Sequence, residues 1–338
     1  MEEFQRYQPF PLESGQILPG IRISYNTYGR LNAAADNVVW ICHALTANSD
    51  VTHWWPGMVG DHRFVDPSKY FIVCANIIGS CYGSSGPLSE DPTTGKIYYR
   101  TFPVVTIRDM VKAHILLRKQ LGIQRIRLLL GGSMGGYQAI EWCLMEPKII
   151  QDLSLIATSA AETAWGIAVH TAQRLAIEAD PGWQDMNENA GAKGLRAARA
   201  IGILTYRNYA IMQEKQTDPD VNKLDHFRAS SYISYQGNKL ARRFNAYSYW
   251  LLTKALDSHN IARNRAPNTK QVLATITQRT LIVGITSDIL CPLAEQQFLA
   301  ANIPRSKLVT IDSLFGHDGF MVETEKIGLC LLEWMSEC

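Results

Sequence analysis

The sequence predicts an α/β architecture: a mostly parallel, doubly wound sheet interrupted by a helical insertion. Three observations predict it. Continuous apolar runs read as strands buried on both faces, these runs alternate with stretches of helical spacing, and the alternation stops near Glu162 and resumes near Arg279. The 338 residues, 46% hydrophobic and 19% charged, suffice for one large domain carrying an insertion. The expected organisation is a first core part, residues 1–161, a helical cap, residues 162–271, and a second core part, residues 272–338.

Each element follows in order. GIRISYNTYG (Gly20 to Gly29) alternates apolar and polar side chains, as a half-buried strand does. NVVWICHAL (Asn37 to Leu45) and YFIVCANII (Tyr70 to Ile78) are unbroken apolar runs and read as interior strands, with a polar loop and WWPGMVG between them. Thr106 to Ile123 is helical, with apolar spacing at Ile107, Met110, Val111, Leu116 and Leu117 and His114 on the same face. IRLLLGG is a strand, YQAIEWCLMEP a helix stopped by Pro147, and IQDLSLIATSA a strand. A helical, polar stretch rich in Ala, Arg, Asn and Tyr fills the insertion. RTLIVGITSD, AEQQFLAANI, KLVTID and TEKIGLCLLEWMSEC then close the chain as strand, helix, strand and helix.

Composition removes several function classes. A net charge of +2 gives no electrostatic reason for a nucleic-acid or membrane partner. The start, MEEFQRYQPFPLESG, lacks the apolar centre of a signal peptide, and no run of 18 apolar residues occurs. The seven cysteines form no CxxC pair and are odd in number, so reduced thiols and a cytoplasmic location are expected. No His/Cys group has metal-ligand spacing, and no metal is expected.

The stretch LLLGGSMGGYQAIEW places Ser133 between four glycines where a strand turns into a helix. Gly131-Gly132-Ser133-Met134-Gly135 fits G-x-S-x-G, a turn tight enough to need small neighbours and raised enough to expose a nucleophilic hydroxyl. A serine needs a base and an orienting acid, which follow in the chain order Ser, Asp, His in this type of elbow. Asp288 ends the strand LIVGITSD, and His317 lies in SLFGHDGF beyond the next strand; Asp312 is the rival acid. Of the remaining histidines, His53, His62, His226 and His259 fall in polar loops or the insertion, His114 and His170 in helices, and His43 precedes the serine. The Met134 N–H at the helix start and the Leu45 N–H in the loop after the strand NVVW are the expected oxyanion donors. These groups amount to acyl chemistry on serine, with the acceptor open: a plain esterase and a non-catalytic protein on the same scaffold are the competing classes.

Longer blocks narrow the acceptor. HALTANSDV, NIIGSCYGSSGPLSEDPTTGKIYYRTFPVVTIRDMV, GGSMGGYQAIEW, AIEADPGW, GLRAARAIGILTY, SYISYQGNKLARRFNAYSYWLLTKALD, GITSDILCPLAEQ and GHDGF occur in order over most of the chain. Together they resemble the homoserine O-acyltransferases of methionine biosynthesis, a branch of the α/β-hydrolase fold, with departures at Ser80, Tyr82 and Ser85. The resemblance implies acetyl transfer from acetyl-CoA to the hydroxyl of L-homoserine by double displacement on Ser133, Asp288 and His317. Acetyl-CoA is then a co-substrate, and no cofactor is needed. Succinyl as the acyl group and serine as the acceptor remain open. The resemblance also assigns Arg199 and Tyr206 to the amino-acid substrate, Asp318 to its ammonium group and Thr46 to the same binding site. A homodimer through the cap is implied too, with the Tyr and Trp of NAYSYW available either to that contact or to the core.

Overall fold

The computed structural model describes residues 1–337; of the seven cysteines, Cys338 lies outside the described residues. Eight strands form one sheet: β1 (Glu2–Arg6), β2 (Ile21–Tyr28), β3 (Val38–Cys42), β4 (Phe71–Ala75), β5 (Ile126–Gly132), β6 (Ile150–Ile156), β7 (Arg279–Ile285) and β8 (Ser306–Ile311). Their spatial order is β1-β2-β4-β3-β5-β6-β7-β8. The pairs β1–β2 and β2–β4 run antiparallel, and all the other neighbours run parallel. Every residue of β3 is buried, and so is most of β5 to β7, which is why these strands read as unbroken apolar runs rather than alternating ones. β1 was not legible: EEFQR has no apolar alternation; it pairs along the edge of β2, and its Phe4 packs half-buried against the core.

The longer helices are α1 (Ile107–Gln120), α2 (Met134–Met145), α3 (Ala164–Glu178), α4 (Ala192–Tyr206), α5 (Tyr209–Gln216), α6 (Arg228–Ala241), α7 (Ala246–Asp257), α8 (Leu293–Asn302) and α9 (Thr324–Ser336). Thr106 and Asp109 close a capping box at the start of α1, each side chain bonded to the other's backbone N–H. One core, with Trp40, Met110, Leu117, Ile140 and Trp142, lies under α1, α2 and α8, and a second, with Trp55, Phe320, Leu331 and Trp334, lies under α9. Among the described residues, no helix is long and apolar enough to cross a membrane.

Between β6 and β7 the chain runs through α3 to α7 without a strand of the main sheet. The side chains of NAYSYW resolve differently from one of the two expected uses. Tyr247 and Tyr249 are fully buried and Trp250 is half-buried, with Tyr247 packed on Trp183, so these rings pack into the same core as Trp40 and Trp142. WWPGMVG also differs from the loop expected before it: Val51–Trp54 makes one helical turn that buries Val51, followed by the buried Trp55.

Candidate active site

The elbow is built by close approach of backbone to backbone. A Cβ on Gly131 would strike the carbonyl of Gly135, and one on Gly135 would strike the carbonyl of Cys42 in β3, so neither position accepts a side chain. Ser133 itself sits at φ 54°, ψ −126°, a conformation that L-residues rarely adopt. Its amide donates to the Ile156 carbonyl at 2.9 Å, and its carbonyl accepts from Thr158 Oγ1 at 2.9 Å, which hold the turn from both sides. Helix α2 begins immediately after it, at Met134, earlier than YQAIEW alone suggested.

Three distant segments meet at Ser133. His317 Nε2 lies 2.8 Å from Ser133 Oγ, and His317 Nδ1 lies 2.7 Å from Asp288 Oδ2. The other Asp288 oxygen accepts the amides of Leu290 (2.8 Å) and Cys291 (2.9 Å), so the carboxylate cannot turn away from the histidine. The rival acid stands elsewhere: Asp312 accepts from Thr286 Oγ1 at 2.9 Å and makes no contact with His317. With Nδ1–H given to Asp288, Nε2 faces the serine hydroxyl as an acceptor.

Burial by itself would depress the pKa of His317, but the Asp288 carboxylate, with help from Asp318 and Glu162, raises it above its ordinary 6.5. The sign for activity follows. With Ser133 as the nucleophile and His317 as its base, a protonated His317 could not take the serine proton, and acylation would be lost as pH falls through the raised pKa. We expect the acid limb of the rate of acylation by a CoA thioester to have its midpoint above 6.5; a midpoint at or below that value contradicts this electrostatic account.

His43, left open by its place before the serine, is not a second base. Nδ1 donates to the Ala44 carbonyl at 2.9 Å and Nε2 accepts the Ile77 amide at 3.2 Å, while burial lowers its pKa to about 4. The neutral ring thereby holds the loop His43-Ala44-Leu45. Among the described residues, neither the Leu45 nor the Met134 amide is taken by an intramolecular acceptor, so both remain free to donate beside Ser133.

These groups open into a cavity of about 510 Å³, lined also by Thr46, Arg199, Tyr206 and Asp318. The Arg199 guanidinium stands 5.1 Å above the Tyr206 ring, and its Nε is buried without a partner. Tyr206 in turn packs 6.0 Å from the His317 ring. Asp318 faces the same cavity, but one of its oxygens is 3.1 Å from Arg207, a partner the sequence did not suggest. The Thr46 carbonyl accepts from Arg243 at 2.6 Å, which ties the loop after β3 to the segment after α6. Two histidines read as loop or helix residues also reach the wall: His53, on the helical turn after that loop, and His170, on α3. Sequence reasoning passed over Glu162 and Tyr137 as well; Tyr137 lies one helical turn beyond Ser133 and Glu162 directly follows the strand-end segment ATSAA.

Asp288, Cys291 and His317 bring possible metal-ligand atoms within 4.8 Å of one another. They do not suit an ion. Both histidine nitrogens are already bonded, and burial pushes the Cys291 thiol well above its ordinary range and so keeps it protonated.

A serine on a strained strand-to-helix turn, with an Asp-His pair behind it and two free amides beside it, defines the class of α/β-hydrolase-fold proteins with a Ser-His-Asp triad. The family model described as the alpha/beta hydrolase fold matches residues 37–324. A curated homoserine O-acetyltransferase of Cyclobacterium marinum is 42% identical over 336 residues, 99% of this chain and 95% of that protein. The chain belongs to the homoserine O-acetyltransferase family. Solved structures of a homoserine O-acetyltransferase from Bacillus anthracis (TM-score 0.90, 23% identity, 98% of this chain and 96% of that one) and of an acetylester hydrolase from Corynebacterium glutamicum (TM-score 0.88, 23% identity, 99% and 95%) share the fold. The backbone alone therefore does not separate acyltransferase from esterase.

Proposed function

We propose that this protein transfers an acetyl group from acetyl-CoA to the hydroxyl of L-homoserine, with Ser133 as the nucleophile, His317 as the acid and base, and Asp288 as its orienting partner. One observation carries the choice of acceptor: the Arg199 guanidinium faces the serine cavity with an unpartnered buried Nε, while the carboxylate of Asp318 faces the same space. A zwitterionic amino acid needs that pair of opposite charges, and a simple ester does not.

The steps follow from the geometry. His317 Nε2 takes the Ser133 proton as Oγ attacks the thioester carbonyl carbon, and the oxyanion is met by the Leu45 and Met134 amides. Collapse breaks the carbon–sulfur bond, and the imidazolium returns its proton to the CoA sulfur. The homoserine hydroxyl then enters beside His317, which accepts its proton while the oxygen attacks the acyl-serine. Collapse of this second adduct releases O-acetylhomoserine and restores the serine hydroxyl with the proton from His317. The helices of residues 162–271 contribute Arg199, Tyr206 and His170 to the cavity wall, and covering the acyl-enzyme in this way limits hydrolysis by water.

The same reading places the enzyme in the cytoplasm, with no resident cofactor, as a homodimer through the cap. It is supported by six free cysteines among the described residues and by exposed apolar side chains on the cap helices, including Trp165, Leu175, Leu204 and Tyr235. Mass spectrometry of the products from homoserine and from serine, each with acetyl-CoA and succinyl-CoA, tests the reading. It predicts O-acetylhomoserine as the main product; free acetate without an acylated amino acid would make the protein an esterase.

Arg199→Ala is expected to raise KM for homoserine while leaving release of CoA in the first half-reaction nearly unchanged. A charge-assisted hydrogen bond is worth about 1.5–3 kcal/mol, so the rise should be roughly 10- to 150-fold. The check is the burst of free CoA without acceptor beside steady-state kinetics with homoserine. Equal slowing of both would move Arg199 to the donor site or to the fold.

A further inference from the structure

We propose that Glu162 sets the donor specificity of this cavity by excluding acyl groups that end in a negative charge. The inference rests on the serine acyl-transfer reading above and concerns its donor half-reaction.

Glu162 stands where the chain leaves the sheet and enters the insertion, its amide held by the His259 carbonyl at 2.9 Å. Its side chain lines the same cavity as Ser133, beside Tyr137. One carboxylate oxygen accepts the Tyr137 hydroxyl at 3.2 Å, and the other accepts the Thr163 amide at 2.9 Å. Both donors are neutral, and among the described residues no Arg or Lys pairs with Glu162. The nearby His170 ring is committed through Nδ1 to Asp257 at 2.8 Å, and Asp257 also pairs with Arg174 at 2.6 Å. Asp318 contrasts with this, because one of its oxygens pairs with Arg207 at 3.1 Å. Glu162 is therefore the cavity carboxylate without an Arg or Lys partner; burial raises its pKa, and the nearby His170 works against that rise.

The placement matters for the acyl group. The leaving sulfur and the incoming hydroxyl must both lie against His317 Nε2, and the carbonyl oxygen must point to the Leu45 and Met134 amides. Arg199, Tyr206 and Asp318 take the acceptor on the side where Tyr206 packs against His317. The remaining substituent of the acyl carbon is left the part of the lining held by Tyr137 and Glu162. The field of Glu162 reaches this region: it raises the Cys291 thiol after burial and Asp288, and it raises the His317 imidazole, against burial, after Asp288 and Asp318. A methyl group is indifferent to that carboxylate. A succinyl group would bring a second carboxylate beside Glu162, which no Arg or Lys pairs, and like charges placed so exclude a wrong partner.

The experiment compares bursts of free CoA at pH 8, without acceptor, from acetyl-CoA, butyryl-CoA and succinyl-CoA. Butyryl matches succinyl in chain length and lacks its charge. The native enzyme is expected to be acylated by butyryl-CoA at least about 10-fold faster than by succinyl-CoA, and Glu162→Gln is expected to raise the succinyl-to-acetyl rate ratio at least about 10-fold. Equal rates for butyryl and succinyl in the native enzyme, or an unchanged ratio in both Glu162→Gln and Glu162→Ala, would overturn the proposal. If neither variant folds, the native comparison still decides. Because no acceptor is present, an error in the choice of homoserine leaves the result intact, and equal bursts would remove the role of Glu162 while keeping serine acyl transfer.

Discussion

Ser133→Ala is expected to abolish acyl transfer while the protein folds as before. The hydroxyl makes one contact that matters, to His317 Nε2, whereas the bonds that hold the turn come from the Ser133 amide and carbonyl and survive the change. Alanine can occupy the strained φ of 54° at much the same cost as serine, so stability should move little. Activity should fall at least about 10⁵-fold, because loss of the nucleophile in a triad of this kind costs as much as loss of the whole triad. The measurement is the CoA burst on acetyl-CoA, with circular dichroism for the fold. A retained burst would remove Ser133 from the chemistry.

Asp288→Asn should also fold and should lose about 10⁴-fold in kcat, as the analogous change does in serine proteases. The asparagine oxygen can keep the Leu290 and Cys291 amides, which turns the NH₂ group towards His317 Nδ1. An NH₂ donor there requires Nδ1 to be the acceptor, so the ring proton moves to Nε2 and the base can no longer take the serine proton. The raised pKa of His317 should fall at the same time, since Asp288 is the charge that chiefly holds it up against burial. Asp312→Asn serves as the control and should leave the rate within a few-fold, because its side chain bonds Thr286 instead. The reverse outcome would reassign the acid.

The parts of this site that were legible in the sequence share a local cause. Gly131 and Gly135 announce the elbow because backbone touches backbone there, and β7 and β8 show where Asp288 and the loop of His317 must emerge. Contacts between distant segments left no such trace. The Arg207 partner of Asp318 and the Arg243 clamp on Thr46 join residues with no common pattern. Glu162 reads as an isolated acid after a run of small residues, and only the fold turns it towards the serine cavity. The tyrosines of NAYSYW were ambiguous because burial in a helical insertion and exposure at an interface select the same aromatic side chains.

The central claim is that the acyl group rests on Ser133 between donor and acceptor. Intact-protein and peptide mass spectrometry, after mixing with acetyl-CoA alone and again after adding homoserine, tests it most directly. The account predicts one acetyl group on the peptide containing Ser133 in the first sample, and its transfer to O-acetylhomoserine in the second. O-acetylhomoserine formed with no acetylated enzyme on the way, or an acetyl group carried by another residue, would contradict it.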